Sequence, residues 1–172
     1  EPIGAYYLYQ MDGIFQSDAE VQNHFATVDG QKVLIQPDAA AGDIRFKDMN
    51  GDGQLTEDDM VYSGSGIPTL EANLLLNLGW KGFDFSATIG SAWGSEIYSG
   101  TNYFYEAMSA GSNFLSSTLN AWTESNHSNT MPRAILSDPN GNTRESTRYL
   151  EKGDFVKIRQ IQLGYTLPKA LT

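Results

Sequence analysis

The chain has 172 residues, of which 40% are hydrophobic, and its formal net charge is −10. This length and apolar content suit one ordinary domain, whereas the acidic balance excludes the basic surface that nucleic-acid binding requires. There is no cysteine, so disulfides and thiolate metal sites are excluded. No apolar run approaches the roughly 18 residues of a membrane-spanning helix.

Four segments are predicted to be β-strands, near residues 4–15, 69–80, 83–93 and 155–167. The first is rich in tyrosine and alternates only weakly. The second and third alternate apolar and polar side chains, and the two-residue Lys81-Gly82 connection predicts that they form a hairpin. The fourth is expected to end at Pro168, because proline has no N–H to donate to a strand ladder.

Two long stretches, residues 16–68 and 94–154, separate these strands, and no linker divides the chain into domains. Ser17 as N-cap, with Glu20 three residues later, predicts a short helix over residues 17–25. Long connections alternate with the short one. The order therefore predicts an all-β, antiparallel up-and-down meander with both long loops on one side.

Outer-membrane barrels have this asymmetry, with short periplasmic turns, long outer loops and strands of about 9–11 residues. Trp80 and Phe83 flank the short turn, and Trp93 ends its strand, where aromatic girdles are expected. Four strands cannot close a barrel, so the chain is expected to form part of a large transmembrane β-barrel. The alternative is a secreted calcium-binding β-sandwich that binds carbohydrate, because a soluble sandwich also alternates.

The alternation also predicts which side chains would face lipid and which the lumen. The apolar set expected to face lipid is Leu74, Leu76, Leu78, Phe85, Ala87, Ile89, Leu163 and Tyr165. The polar set expected to face the lumen is Asn73, Asn77, Asp84, Ser86, Gln160 and Gln162. Because a four-stranded piece leaves both outer strands unpaired, the isolated chain is not expected to be a stable monomer.

Residues 48–59 fit the spacing of an EF-hand calcium loop. The predicted ligands are Asp48, Asn50, Asp52, the Gln54 carbonyl and Asp59, with Thr56 as a hydroxyl or water-mediated ligand. Gly53 provides the sharp turn at position 6. The last ligand is Asp rather than the longer Glu, which lowers the expected affinity, and the alternative is a polar turn without a cation. Because the flanks are predicted to be short β pieces, calcium would be structural rather than a sensor.

No catalytic residues are predicted. His24 and His127 are far apart in the chain, and both are predicted to be solvated loop residues. Gly-x-Ser-x-Gly is missing, so the sequence does not support a zinc enzyme or a serine hydrolase. An aromatic cluster in the second long loop is a candidate for contacting sugars or peptides; girdle anchoring or loop packing is the other use. Its members are Tyr98, Tyr103, Phe104, Tyr105 and Trp122.

A set of motifs, in this order and spacing, resembles the SusC/RagA family of TonB-dependent outer-membrane transporters. The motifs are Asp12-Gly13-Ile14-Phe15, the stretch from Gly42 to Gly53, the stretch from Asn77 to Phe85, the stretch from Arg148 to Arg159, and the stretch from Leu163 to Pro168. They match the later part of that family's barrel and cover nearly the whole chain. Each motif alone is weak, but the set is specific.

The resemblance implies nutrient uptake through a 22-stranded barrel in the outer membrane of a Gram-negative bacterium. It implies energy from TonB through an N-terminal part outside this chain, a SusD-like lipoprotein partner, contact with membrane lipid, and a glycan or peptide as cargo. Peptide and glycan transporters of the family share these motifs, so the cargo class stays open. Gly64-Ser65-Gly66-Ile67-Pro68 departs from the commoner Gly-Asn-Pro turn of the family.

Overall fold

The structure is a computed structural model and describes residues 3–111 and 113–167. Within these residues the strands are β1 (Ala5–Leu8), β2 (Met11–Ile14), β3 (Phe25–Val28), β4 (Gln31–Leu34), β5 (Ile44–Phe46), β6 (Val61–Ser65), β7 (Leu70–Trp80), β8 (Phe83–Trp93), β9 (Glu96–Tyr98), β10 (Leu150–Lys152) and β11 (Phe155–Tyr165). The α-helices are α1 (Asp18–Asn23) and α2 (Gly100–Tyr105), with 3-10 turns at Glu57–Asp59, Ser116–Asn120 and Thr147–Tyr149. None of the helices described is long and apolar enough to cross a membrane.

The described chain divides into two compact units. The sheet unit contains residues 3–4, 64–97 and 151–167 of the described chain, and its main elements are β7, β8 and β11. The loop unit contains residues 5–63 and 98–150, including β1 to β5 and both α-helices. The stretches predicted as long loops are therefore not irregular, because they contain short strands and a core of their own.

The sheet unit is a three-stranded antiparallel sheet in the order β11-β8-β7. The β7–β8 register runs without interruption from Leu70 opposite Trp93 to Trp80 opposite Phe83. Lys81 (φ 48°) and Gly82 (φ 88°) close the hairpin, and two positive φ angles are what a two-residue turn needs to match the strand twist. The predicted hairpin is confirmed, with its first strand beginning one residue late.

Strand β11 pairs with β8 from Phe155 opposite Ala92 to Tyr165 opposite Phe83. The strand ends that join the long segments thus lie at one end of the sheet, and the Lys81-Gly82 turn lies at the other, as predicted. A β-bulge interrupts the register between Ile158 and Gln160. The predicted strand extended to residue 167, but β11 ends at Tyr165, and the expected stop at Pro168 lies outside the described residues.

The prediction that residues 4–15 form one strand of the meander is wrong. The segment forms two short strands, of which β1 pairs with β6 and β2 pairs with β5. The break comes at Tyr9 and Gln10, where Tyr9 forms an isolated bridge with Ser146 and the Gln10 amide donates to Ser63 Oγ at 2.8 Å. Its apolar residues Leu8, Ile14 and Phe15 are buried, which is the opposite of a lipid-exposed strand face.

The core of the loop unit is built on Tyr9, Ile44 and Phe46, with Met11, Leu55 and Met60 packed against it. Helix α1 begins after Ser17, whose side chain accepts the Glu20 N–H, so the predicted N-cap is confirmed. The Glu20 carboxylate accepts the N–H of Gln16 at 3.0 Å, one residue before the position that a standard capping box uses. The helix ends at Asn23 rather than residue 25, because Phe25 starts β3.

A buried polar network joins the segment around Asp43 to the segment 133–142. Asp43 is fully buried and accepts two hydrogen bonds from the Arg133 guanidinium, both at 2.8 Å. Asn142 donates to Asp43 at 2.9 Å and accepts the N–H of Ile44 at 2.8 Å. The Gln36 side chain adds bonds to Asn140 and to the backbone of Ile44 and Phe46. These contacts give the Gly42–Phe46 part of the motif a structural role, because they join segments of the loop unit that are far apart in the chain.

Candidate functional site

The calcium-type loop has a compact conformation that its own side chains hold. The Asp48 carboxylate accepts the N–H of Gly51 at 2.6 Å and of Gly53 at 2.8 Å. Asn50 and Asp52 accept the N–H groups two residues further on, at 2.9 and 2.8 Å. The side-chain oxygens at loop positions 1, 3 and 5 therefore turn toward the backbone of the loop, as short polar side chains do in tight turns.

Asp59 joins the two ends of this loop. It is fully buried, and its carboxylate accepts the N–H of Met49 at 2.7 Å and of Thr56 at 2.9 Å. Thr56, proposed from the sequence as a ligand, caps the 3-10 turn Glu57–Asp59 with its side chain. The residue at position 12 therefore already has a structural role.

A bound cation would have to share these carboxylates with the backbone N–H groups that they already accept. Within residues 3–111 and 113–167, no three His, Cys, Asp or Glu side chains are grouped so that they could hold a metal ion. The oxygen-only donor set suits calcium, and a carboxylate that accepts one N–H keeps further lone pairs. The carboxylates of Asp48, Asp52 and Asp59 would still have to converge. Calcium binding by Asp48, Asn50, Asp52, Gln54 and Asp59 therefore stays a prediction.

We expect the whole protein to bind one Ca²⁺ in the loop with a Kd of about 10⁻⁴–10⁻³ M, the range of weak structural sites. Asp48→Ala should weaken binding at least tenfold, since it removes a ligand and two loop hydrogen bonds. Asp58→Ala is the matched control, because it removes the same charge from the same loop but no predicted ligand. Titration calorimetry checks this, and an absence of saturable heat at millimolar calcium would leave the loop as a turn.

The predicted aromatic cluster is present in part. Tyr103 packs against Phe104 and Tyr98, with ring centroids 5.2 and 6.1 Å apart. Tyr149 completes the group at 5.3 Å from Tyr103 and 6.0 Å from Tyr98. Burial raises the pKa of the Tyr98 and Tyr149 hydroxyls, so both stay neutral at ordinary pH. This cluster is largely internal packing within the loop unit.

The other two predicted ligand-contacting aromatics lie elsewhere. Trp122 is buried, donates from Nε1 to Gln16 at 3.0 Å, and packs so closely on Gly42 that a Cβ there would clash with its ring. Its ring is therefore not available for stacking on a ligand in this conformation. Tyr105 is 51% exposed, and Phe104 is 70% exposed. Of the predicted aromatics these two have the most accessible faces, and contact with cargo stays a prediction.

Sequence reasoning missed Tyr149 and Arg148. Tyr149 is fully buried, and Arg148 donates to its hydroxyl at 2.8 Å and to the Glu106 carboxylate at 3.2 Å. Both residues lie in a motif that the sequence had already singled out. Their partners, however, are distant in the chain, such as Glu106 for Arg148 and Tyr98 for Tyr149, and no local pattern marks them.

Among residues 3–111 and 113–167, neither histidine belongs to a group of three His, Cys, Asp or Glu side chains that could hold a metal ion. His24 is partly buried, with Nε2 2.9 Å from the Phe46 carbonyl and its ring against Phe15. Burial lowers the pKa of His24. The expectation that both histidines are solvated loop residues is therefore wrong for His24, whereas His127 is exposed beside Trp122.

Comparison with known proteins gives a consistent result. No family model matches the chain. It is 26% identical over 170 residues to TonB-dependent receptor P3 of Formosa agariphila, a match that covers 99% of this chain and 16% of that receptor. TonB-dependent receptor P26 of the same organism is 28% identical over 130 residues, which are 74% of this chain and 13% of that receptor.

Solved structures share the fold. A structure of the RagAB peptide transporter superposes with a TM-score of 0.66 and 22% identity, over 97% of this chain and 17% of that one. The RagAB peptide importer in a closed-closed state gives a TM-score of 0.62 and 23% identity, over 96% of this chain and 17% of that one. The chain thus spans less than a fifth of the length of the proteins that it matches.

The three-stranded antiparallel sheet, the ordered loop unit and these matches define a class: the chain is similar, along nearly its whole length, to one segment of a TonB-dependent receptor. Within that class the fold is shared with RagAB. The resemblance to the SusC/RagA type, first indicated by the sequence motifs, is therefore confirmed.

Proposed function

We propose that this chain is part of a SusC-like active transporter in the outer membrane of a Gram-negative bacterium, which takes up glycans or peptides. The observation that carries the proposal is a sheet with one apolar and one polar face, on which the apolar side chains of the two outer strands, β7 and β11, are exposed. Register places the apolar residues together, because side chains of directly opposed residues share a face. Leu76, Ala87 and Ile161 form one such row, and Asn77, Ser86 and Gln162 form the adjacent polar row.

The apolar face is both broad and accessible. Its aliphatic members are mostly more than half exposed, as for Leu74 at 58%, Ile161 at 63% and Leu163 at 72%. A soluble monomer rarely exposes such a surface. In a bilayer the same surface would be solvated by lipid tails, while the polar rows would face water in the lumen.

The dimensions of the strands also suit a bilayer. Strands β7, β8 and β11 have 11 residues each. A rise of about 3.3 Å per residue and a tilt of about 40° give a height of about 25–28 Å, close to the apolar band of outer-membrane barrels. At the turn end, the rings of Phe83 and Tyr165 are 4.5 Å apart, and Lys81 lies over the Trp80 ring. This aromatic and cationic end fits a membrane interface.

The exposed face argues against the alternative, a secreted calcium-binding β-sandwich. Two sheets of a sandwich pack their apolar faces against each other, so those side chains are buried. Here Leu74, Leu78 and Leu163 are each more than half exposed. This exposure is expected for the outer face of a barrel and is not expected for the inner face of a sandwich.

The relatives support the finer parts of the proposal. P3 and P26 are named TonB-dependent receptors, and RagAB is described as a peptide transporter and importer. We extend to this chain energisation through TonB and a SusD-like lipoprotein that works with the barrel. The cargo is a glycan or a peptide, and no catalytic activity is part of the proposal.

Site-directed spin labelling tests the barrel placement. Because the chain has no cysteine, single labels at Leu163→Cys and Gln162→Cys are unique within the segment. In the whole receptor reconstituted in lipid, we expect the label at position 163 to collide with oxygen, which concentrates in lipid. The label at position 162 should collide with a water-soluble nickel chelate. Equal or inverted accessibilities would reject the placement, because neighbouring residues must face opposite sides.

A further inference from the structure

The loop unit contains two Asn-Gly pairs, Asn50-Gly51 and Asn140-Gly141. Such a pair can modify itself, because the backbone nitrogen of the glycine can attack the side-chain amide carbon, and glycine has no Cβ to hinder the attack. The attack forms a five-membered succinimide ring and expels ammonia. Whether a folded protein permits the reaction depends on the groups around the amide and the nitrogen, and these groups differ between the two pairs.

Asn50 and Gly51 are exposed and have room to move. Apart from the neighbours of Gly51 in the chain, nothing lies within 4 Å of the position that a Cβ on this residue would take. Among the described residues, the Asn50 side chain bonds only to Asp52. Its Oδ1 accepts the Asp52 N–H at 2.9 Å, and its Nδ2 donates to the Asp52 carboxylate at 3.1 Å. The amide is therefore folded back onto its own loop and is not anchored to a distant segment.

The hydrogen bonds around Asn50 also match what the reaction needs. The nucleophile is the Gly51 nitrogen, and its N–H donates to the Asp48 carboxylate at 2.6 Å, within the reach that a general base requires. The Asp52 N–H donates to Asn50 Oδ1, the oxygen on which negative charge develops when the amide carbon is attacked. A backbone N–H in that position stabilises an oxyanion.

Asn140 has the opposite surroundings. It is only 3% exposed, its Nδ2 donates to the Ile44 carbonyl at 3.0 Å, and its Oδ1 accepts from Gln36 Nε2 at 2.7 Å. The Gly141 N–H donates to the Asp138 carbonyl at 3.0 Å, and a carbonyl is not a general base. Attack on this amide would first have to break bonds that hold it to distant segments of the loop unit.

We propose that Asn50 is deamidated spontaneously in the folded protein, with Asp48 as the general base. Asp48 accepts the proton of the Gly51 nitrogen as that nitrogen bonds to the Asn50 side-chain carbon. The bond from this carbon to Nδ2 then breaks, and Nδ2 takes the proton and leaves as ammonia. Water is the only co-reactant, and it opens the succinimide at either of its two carbonyls to give a carboxylate.

The two products alter the loop in different ways. Hydrolysis at the side-chain carbonyl gives an ordinary aspartate at loop position 3, where the calcium-loop pattern accepts Asp or Asn. Hydrolysis at the backbone carbonyl gives isoaspartate, which adds one carbon to the main chain and changes the spacing between Asp48 and Asp59. Both products place a new negative charge beside Asp52 and lose the hydrogen bond from Nδ2. The reaction therefore changes the charge of the loop in every case and its spacing in one.

Peptide mapping of the whole receptor tests the proposal without any substitution. The receptor is incubated in heavy-oxygen water at physiological pH and temperature, with a chelator that keeps the Asp48 carboxylate free of calcium, and is digested after increasing times. We expect heavy oxygen to enter residue 50 at least tenfold faster than residue 140, since burial restricts the second pair to rare local opening. In denaturant the two rates should converge. Equal rates in the folded receptor would overturn the site.

Asp48→Asn is the diagnostic variant for the general base. Its Oδ1 can still accept the Gly51 N–H, but a neutral amide cannot take the proton, so modification of Asn50 should slow at least tenfold. Asp58→Asn is the matched control, since Asp58 is exposed in the same loop and its loss removes the same charge without touching Asn50 or Gly51. This control should modify at the unaltered rate. If the two variants behave alike, or if Asp48→Asn is modified faster, Asp48 is not the base and the proposed mechanism fails.

Discussion

Asp43→Ala is expected to destabilise the loop unit by about 3 kcal/mol, the lower end of the range for breaking a buried ion pair. The substitution removes the acceptor for the Arg133 guanidinium and for the side chain of Asn142. Arg133 is 26% exposed and can regain some water, which is why the lower end applies. Amide hydrogen exchange followed by mass spectrometry should show faster exchange in residues 36–46 and 133–142.

Asp12→Ala is the control for this experiment. Asp12 is also paired with cations, Arg45 at 3.2 Å and Lys47 at 3.7 Å, but its side chain is 46% exposed. Exposed pairs contribute about 0–1 kcal/mol, so exchange in the two segments should hardly change. If both variants had the same effect, the buried network would not be what holds the segments together.

Leu76→Arg is expected to cost about 2–4 kcal/mol of folding free energy in lipid, the value for a cation on the outer face near the bilayer midplane. Leu76 lies near the middle of β7 on the apolar face, opposite Ala87. The adjacent Asn77→Arg places the same charge on the polar face, opposite Ser86, and should cost little. Urea titration of the whole receptor in vesicles, with folding followed by heat-dependent gel mobility, measures both.

The barrel proposal requires the loss of folding free energy to differ strongly between Leu76→Arg and Asn77→Arg. A soluble fold would tolerate arginine about equally at two exposed positions, and Leu76 is 41% exposed. A similar loss of folding free energy in the two variants would therefore count against lipid on the Leu76 face. A larger loss for Asn77→Arg would mean that the faces are inverted.

The hairpin could be predicted because its information is local. Alternation along β7 and β8 and a two-residue turn at Lys81-Gly82 together determine register, so faces and strand ends follow. The segment 4–15 could not be predicted in the same way. Its tyrosines suit either a girdle or a packed loop, and its real partners, β5 and β6, lie well along the chain. Contacts between residues so far apart in the chain do not produce a periodic pattern in the sequence.

In the candidate sites, too, the features held within one short loop could be predicted from the sequence, and those that depend on distant residues could not. The spacing of residues 48–59 correctly indicated a tight turn around Gly53, because the pattern is contained in one short loop. It could not show that Asp59 would be buried and bonded to Met49 and Thr56. Likewise the Arg148 motif was visible, but the buried bond from Arg148 to Glu106 became evident only when distant segments were brought together.

The bulge in β11 changes the phase of that strand's alternation. Before it, Val156 and Ile158 share the apolar face through their partners Ser91 and Ile89; after it, Ile161, Leu163 and Tyr165 do. Even-numbered positions thus give way to odd-numbered ones, and the two adjacent polar residues Arg159 and Gln160 mark the change. A one-residue deletion here would either rotate half of the strand's side chains to the wrong face or slide its pairing with β8. The strand is therefore expected to be sensitive to any change in length at this point.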